Sequence, residues 1–237
     1  MNKTVRAVAL ALSTALSAPA FALDVEVRVT NLTNGIYFTP LLVAAHDAAF
    51  HLFRPGTPAS DNLQAMAEGG DLSGLIADVA AAGGSYVENP AGDVLAPGAS
   101  TTAVLEVEKE ARNLSVVAML LPTNDGFVGL DAMTLPRRPG VYTVYLYGYD
   151  AGTEANDELI TGGGEPGTPG IPADPGGNSG TGGTGVAGPD QNPMVHIHRS
   201  VVGDTDPTGG PSDLDESIHR WLNPVAKVTV TVPRPNR

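Results

Sequence analysis

Three features of the chain predict an all-β fold with minor helix, an antiparallel C2-like β-sandwich carrying short helices and a long Gly/Pro-rich loop. Val25-Glu26-Val27-Arg28-Val29-Thr30 and Ala226-Lys227-Val228-Thr229-Val230-Thr231-Val232 alternate apolar and polar residues, the period of a strand with one face buried. Leu114 to Leu121 is a nearly continuous apolar run, as in a central strand. Helical composition is confined to one interval, whereas an α/β fold would spread helices between successive strands.

The elements follow in order. After the first alternating strand, Asn31-Leu32-Thr33-Asn34-Gly35 has turn chemistry, and Ile36 to Val43 returns as a second strand-like run. Ala44 to Phe53 has helical composition, and short helices are expected over Asp61 to Ala67 and Leu72 to Ala82, on either side of Gly69-Gly70. From Ser100 the pattern is β again. Thr101 to Glu110 places Glu106, Glu108 and Glu110 on one face, with Leu105 and Val107 on the other. Val141 to Tyr149 is an aromatic-rich strand, and Ala226 to Val232 is expected to close the sheet. Thr161 to Pro189 is dominated by Gly and Pro and is predicted to be a flexible insertion without a core of its own. One domain over residues 23–237, with 161–189 inserted, accounts for the whole pattern.

Met1-Asn2-Lys3-Thr4-Val5-Arg6, an apolar run through Leu16 and the small-x-small triplet Ala20-Phe21-Ala22 predict a signal peptide over residues 1–22, cleaved after Ala22. The apolar run is short for a membrane anchor, and no later segment has transmembrane length, so a secreted or periplasmic product is expected. The formal net charge is −13, becoming about −15 once Lys3 and Arg6 leave with the signal. Such a surface argues against nucleic acid, which needs clustered Lys and Arg, and suits cation binding or plain solubility. The absence of cysteine excludes thiolate catalysis and Cys-based zinc sites, and fits a bacterial exported protein.

Two apolar runs end in acidic turns: Leu120-Leu121-Pro122-Thr123-Asn124-Asp125-Gly126 and Tyr147-Gly148-Tyr149-Asp150-Ala151-Gly152-Thr153-Glu154. Strands that deliver Asp125 and Asp150 to the same end of a sheet make a hard-cation site, because Ca²⁺ takes oxygen ligands from loops held by rigid elements. The alternative is a pair of solvated strand-end acids.

The block Met119-Leu120-Leu121-Pro122-Thr123-Asn124-Asp125-Gly126-Phe127-Val128-Gly129-Leu130 resembles the "PSPDWFVG" block of the spondin N-terminal domain family. Tyr149-Asp150-Ala151-Gly152-Thr153-Glu154 resembles its "YDAGTD" block, and Asn223 to Val230 is similar to its final strand. The resemblance implies a C2-like sandwich that binds one calcium ion through a glutamate and two aspartates. Asp125 and Asp150 match the aspartates. Counting back without a gap places the glutamate at Glu106, with Glu108 as the choice if the register differs by two. Three such carboxylates repel one another without a cation, so calcium would stabilise the fold by mass action. Gly126 stands where the family block carries Trp, the cysteines of animal members are absent, and the Gly-rich excursion is foreign to them.

Val195-His196-Ile197-His198 places two imidazoles on one face of a strand, and His46 and His51 lie in another segment. If these four converge they form a Cu, Zn or Fe site; otherwise they are surface or hydrogen-bonded histidines. Ser179, in Gly177-Asn178-Ser179-Gly180, lacks the rigid frame of a nucleophile, and the glycine clusters lack the Lys of a phosphate loop. Asn31 and Asn113 fit glycosylation spacing but read as a turn and a strand start, and Trp221 reads as a core or rim anchor. The expectations are therefore a calcium-binding surface or periplasmic binding/adhesion module without turnover, whose partner is an extracellular or periplasmic protein or glycan. A periplasmic transition-metal protein is the alternative, and a purely structural secreted domain the third reading.

Overall fold

A computed structural model describes residues 22–177, 179–186 and 192–234; the expected signal peptide lies outside the described residues except for Ala22. Ten strands, β1 (Leu23–Asn31), β2 (Tyr37–Phe38), β3 (Leu42–His46), β4 (Ser85–Glu88), β5 (Ser100–Val107), β6 (Asn113–Leu121), β7 (Gly126–Thr134), β8 (Gly140–Asp150), β9 (His196–Ile197) and β10 (Ala226–Val232), are joined by three helices, α1 (Asp61–Gly69), α2 (Ser73–Ala81) and α3 (Glu216–His219). The ladder order is β4-β3-β6-β7-β8-β10-β1-β5, with β2 added to β6 and β9 to β8. Every ladder is antiparallel. The sheet folds over until its two edges meet, where Ser85 Oγ donates to the Glu106 carbonyl at 2.6 Å. The all-β expectation agrees with this sandwich-like, nearly closed sheet.

Two apolar layers explain the burial. Inside the fold, Val25, Val27 and Val29 of β1 pack with Val228 and Val230 of β10, Leu105 of β5, and Val116 and Ala118 of β6. Outside it, Leu42, Val117, Met119 and Phe127 on the other face of β3, β6 and β7 are covered by Leu63 and Met66 of α1 and by Leu75 and Val79 of α2. β6 is thus buried on both faces, which is why it reads as an unbroken apolar run.

Three local expectations are corrected. Ala44 to Phe53, read as helical, contains no helix: Ala44–His46 is strand, its alanines buried on both faces between β4 and β6 despite little propensity for a sheet, and residues 47–53 are turn and irregular chain. β10 does not close the sheet but lies between β8 and β1. The described part of the Gly/Pro-rich segment is not a free excursion. Ile171 joins the inner core, and carboxylates gather the backbone amides. Glu68 accepts from Gly167 N at 2.6 Å and Glu154 from Gly170 N. Asp213 accepts from the N–H groups of Ile160, Thr181, Gly182 and Gly183 at 2.7–2.9 Å. Gly69 is in contact with this segment too, since a Cβ there would stand 2.0 Å from the Gly164 carbonyl oxygen.

Candidate functional site

Asp125 and Asp150 meet because β7 and β8 form a hairpin whose open end carries both. The register sets Gly126 opposite Asp150, and the Ala151 amide donates to the Asp125 carbonyl at 3.2 Å. Thr123 shapes the turn that delivers Asp125: its hydroxyl donates to the Leu120 carbonyl at 2.6 Å and accepts from Gly126 N at 3.0 Å. Asn124 fixes the far side of the turn through Asp157 and the Glu158 amide. A Cβ on Gly126 would stand 2.5 Å from Thr123 Oγ1 and 3.1 Å from the His198 ring, so the space beside this glycine is already filled.

Both carboxylates are buried, Asp125 with no exposed surface and Asp150 with 2 %. Oδ2 of Asp125 accepts from Thr153 N at 2.8 Å, Glu154 N at 3.1 Å and Thr153 Oγ1 at 3.3 Å. Its Oδ1 is buried without a hydrogen-bond partner. Burial pushes this carboxyl up to about 7, the charge of Asp150 pushes in the same direction, and the Thr153 and Glu154 donors only partly offset them. Asp150 is better served, by Gly152 N at 2.8 Å and Asn156 Nδ2 at 2.7 Å. Glu154 adds to the negative field. Burial raises it to about 8, its Gly170 bond opposes this, and Glu68, Asp125 and Asp157 raise it further; its Oε2 is a second buried oxygen without a partner. Glu154 stood in the quoted sequence block, but nothing in a linear pattern signals that its side chain turns inward.

Glu106 does not join them. It is paired with Asp24 on β1 and exposed to solvent, at the level of the sheet marked by Leu23 and Val107. Following the ladders from Val104 to Glu26, Thr231 and Val141 reaches the start of β8, nine residues from Asp150. At about 3.3 Å per residue that is roughly 30 Å away. Glu108 lies beyond the same end of β5 and is exposed. The glutamate of the expected ligand set is therefore placed at the opposite end of the sheet.

The four histidines do not converge either. His46 pairs with Asn113 at the far end of β6, buried, with Nδ1 on the Asp47 carbonyl and Nε2 on Ser115 Oγ, both at 2.8 Å. His51 holds Asp131 through Nδ1. His196 lies beside the acid pair, its Nδ1 on the Met194 carbonyl at 2.8 Å and 3.8 Å from Asp150 Oδ1. His198 accepts from Ser200 N at Nδ1 and contacts Asn156 Oδ1 at 3.2 Å through Nε2, with its ring against Trp221. Among the described residues no three His, Asp or Glu side chains are grouped as a metal-binding set. Asp204, Asp206, Asp213 and Asp215, which line a separate cavity, spend their oxygens on backbone amides of their own and adjoining turns.

No described helix is long and apolar enough to cross a membrane. Residues 29–159, more than half of the chain, match the family Spondin_N. Spondin-2 of Homo sapiens is 31 % identical over 125 residues, which cover 50 % of this chain and 38 % of that protein. Spondin-2 of Rattus norvegicus is 30 % identical over the same length, again with 38 % of the relative covered. The aligned stretch thus spans well under half the length of both relatives. The Spondin_N match contains both acidic turns and the hairpin that unites them, and the chain belongs to the spondin N-terminal domain family.

Proposed function

We propose that this chain is an exported binding or adhesion module whose Asp125–Asp150 end holds calcium and whose partner is an extracellular or periplasmic protein or glycan. The supporting observation is the unpartnered, fully buried Oδ1 of Asp125 beside a second buried carboxylate. Leaving such an oxygen bare costs on the order of 1–3 kcal/mol or more, a cost that a hard cation removes. Asp125 and Asp150 would hold the ion, with backbone carbonyls and water completing a shell of six to eight oxygens. The cation would neutralise the pair and tie the β6–β7 turn to the segment after β8, setting the loops at this end. With two carboxylates rather than three, the expected affinity is in the range of extracellular modules, on the order of 0.1–1 mM.

Calorimetric titration of metal-free protein with CaCl₂, paired with thermal melts in calcium and in EGTA, tests the reading. Saturable binding and a raised Tm in the wild type, both abolished in Asp125→Asn and Asp150→Asn, are expected. A protein that takes up no calcium and melts identically in both buffers rules it out.

A further inference from the structure

The hairpin of β7 and β8 parts toward its connecting loop. The two strands pair from Gly126↔Asp150 to Gly129↔Tyr147 and no farther. β7 then follows β6, through Leu130↔Val116 and Met133↔Leu114 with Ala132 at φ +48°, while β8 follows β10 from Gly140 to Leu146. Among the described residues, 140–146 of β8 therefore have a strand on one side only. In an antiparallel ladder every second residue turns its N–H and C=O away from its partner, so this edge presents a row of unpaired backbone groups.

Burial marks the same opening. Val128 and Leu146, where the two arms are still close, are 0 % and 1 % exposed, and Val228 and Val230 of β10 are fully buried. Val144 and Tyr142, level with those two valines, are only partly buried, as are Leu130 and Met133 on the departing arm of β7. The core is thus a strand short at this seam. The opposite side of the sandwich is shut, since β4 and β5 meet there at the Ser85–Glu106 bond. Gly140 to Tyr149 contains no charged residue and no proline, the usual devices that keep an edge from pairing.

Charge says what the added strand carries. Ala132 to Tyr149 contains Arg137, Arg138 and no acid, in a chain with 26 acids against 13 Lys and Arg. Both arginines are exposed in the loop that joins the arms, and neither forms an ion pair among the described residues. Lys227 adds a third cation level with Tyr145. Of the acids on adjoining strands, Asp131 is spent on His51 and the Leu52 amide, and Glu26 stands two strands from β8, beyond Thr231. A second copy of this chain would bring its own cations to the seam, so charge favours an acidic partner.

We propose that this edge takes an extended acidic segment of a partner protein as an added antiparallel strand, in the place that β7 vacates, with the acidic C-terminal end of the segment at Arg137 and Arg138. The proposal rests on the binding-module reading above but not on its calcium. The probe is fluorescein-labelled Thr-Val-Thr-Val-Thr-Val-Glu-Glu-amide, followed by anisotropy in EGTA and again in CaCl₂. Saturable binding in both is expected, at least tenfold weaker for the same peptide ending in Lys-Lys and for the doubly reversed Arg137→Glu/Arg138→Glu. Both arginines are exposed, so the variant keeps the fold, and the Lys-Lys peptide should recover its binding. Proline in place of the central valine, which removes one N–H, should also cost at least tenfold. Hydrogen exchange should slow at alternate amides within 140–146, which a charge contact alone would not produce. Absence of saturable binding in EGTA, indifference to the charge reversal, or protection elsewhere would each overturn the assignment, and so would self-association of the chain through the same amides. A chain that takes no calcium yet binds the peptide would sink the reading of the acid pair and leave this one standing.

Discussion

Replacing Asp125 by Asn removes a charge that the folded protein tolerates badly unless something neutralises it. Burial, and next the charge of Asp150, hold the Asp125 carboxyl at about 7, against 3.8 for the ordinary group. The folded state therefore keeps a proton that the unfolded chain has released over most of that interval. Its contribution to stability is whole below about pH 4 and is lost as pH rises to about 7. At 1.36 kcal/mol per pH unit the loss is about 4 kcal/mol, equivalent to roughly 8–16 °C in Tm for a chain of this size. Asn carries no charge at any pH, and its amide oxygen can still accept from Thr153 N and Glu154 N. In EGTA, Asp125→Asn should equal the wild type near pH 4 and exceed it by up to about 4 kcal/mol at pH 8. Glu154, whose raised carboxyl loses stability in the same direction, is itself pushed up in part by the Asp125 charge, so its relief in the variant adds to the difference in the same sense. Urea unfolding followed by circular dichroism at pH 4, 5, 6, 7 and 8 supplies the measurement. A variant-minus-wild-type difference that stays flat with pH refutes the reasoning, because it would mean that Asp125 ionises in the folded state as easily as in the unfolded one. In 10 mM calcium at pH 8 the wild type should recover about 1.4–2.7 kcal/mol of that difference, given a Kd on the order of 0.1–1 mM, while the variant gains nothing.

Other positions give independent checks. Asp213→Ala removes the acceptor shared by Ile160, Thr181, Gly182 and Gly183, and should cost about 2 kcal/mol while exposing residues 161–186 to limited proteolysis. Gly69→Ala drives a Cβ to within 2.0 Å of the Gly164 carbonyl oxygen, and a destabilisation of about 1–3 kcal/mol by urea unfolding is expected. Glu106→Gln changes an exposed side chain at the other end of the sheet, so the calcium-induced change in Tm should match the wild type within about 1 °C.

The alternating strands β1, β5 and β10 and both Ala- and Leu-containing helices were legible because one face of each meets the core. β7 was not. Gly126 and Gly129 gave its residues the look of a turn, whereas Gly129 is there to admit Phe53, whose ring carbon would lie 2.5 Å from a Cβ at that position. Phe53 then packs at 5.0 Å on Phe127 and 4.9 Å on Tyr149, rings that lie 74 and 96 positions further along the chain. The Gly/Pro-rich segment misled for a related reason. Its composition offers almost nothing apolar to bury, but Ile171 is enough to join the core and acids elsewhere in the chain supply the acceptors its amides need. Composition reports what a segment can bury by itself and is silent on what others bring to it.

The acid pair and the missing glutamate differ by a rule of parity that the strand pattern already contains. Between Asp125 and Asp150 the chain crosses the sheet twice, out along β7 and back along β8, so both carboxylates arrive at one end. Between Glu106 and Asp125 it crosses once. β5 ends beside Glu106, the next strand starts at Asn113, and β6 runs to Leu121 before the turn to Asp125. Nine residues of strand at about 3.3 Å each separate two ends by roughly 25–30 Å, farther than any side chain spans. His46 obeys the same count: it sits level with Asn113, whereas His196 sits level with Asp150. An ungapped match along a sequence keeps residue spacing but cannot exempt it from that geometry. A carboxylate that completes the Asp125–Asp150 end must come from a loop at that end, and Glu154, four residues beyond Asp150 with a buried unpartnered oxygen, is the acid the fold brings nearest to that role.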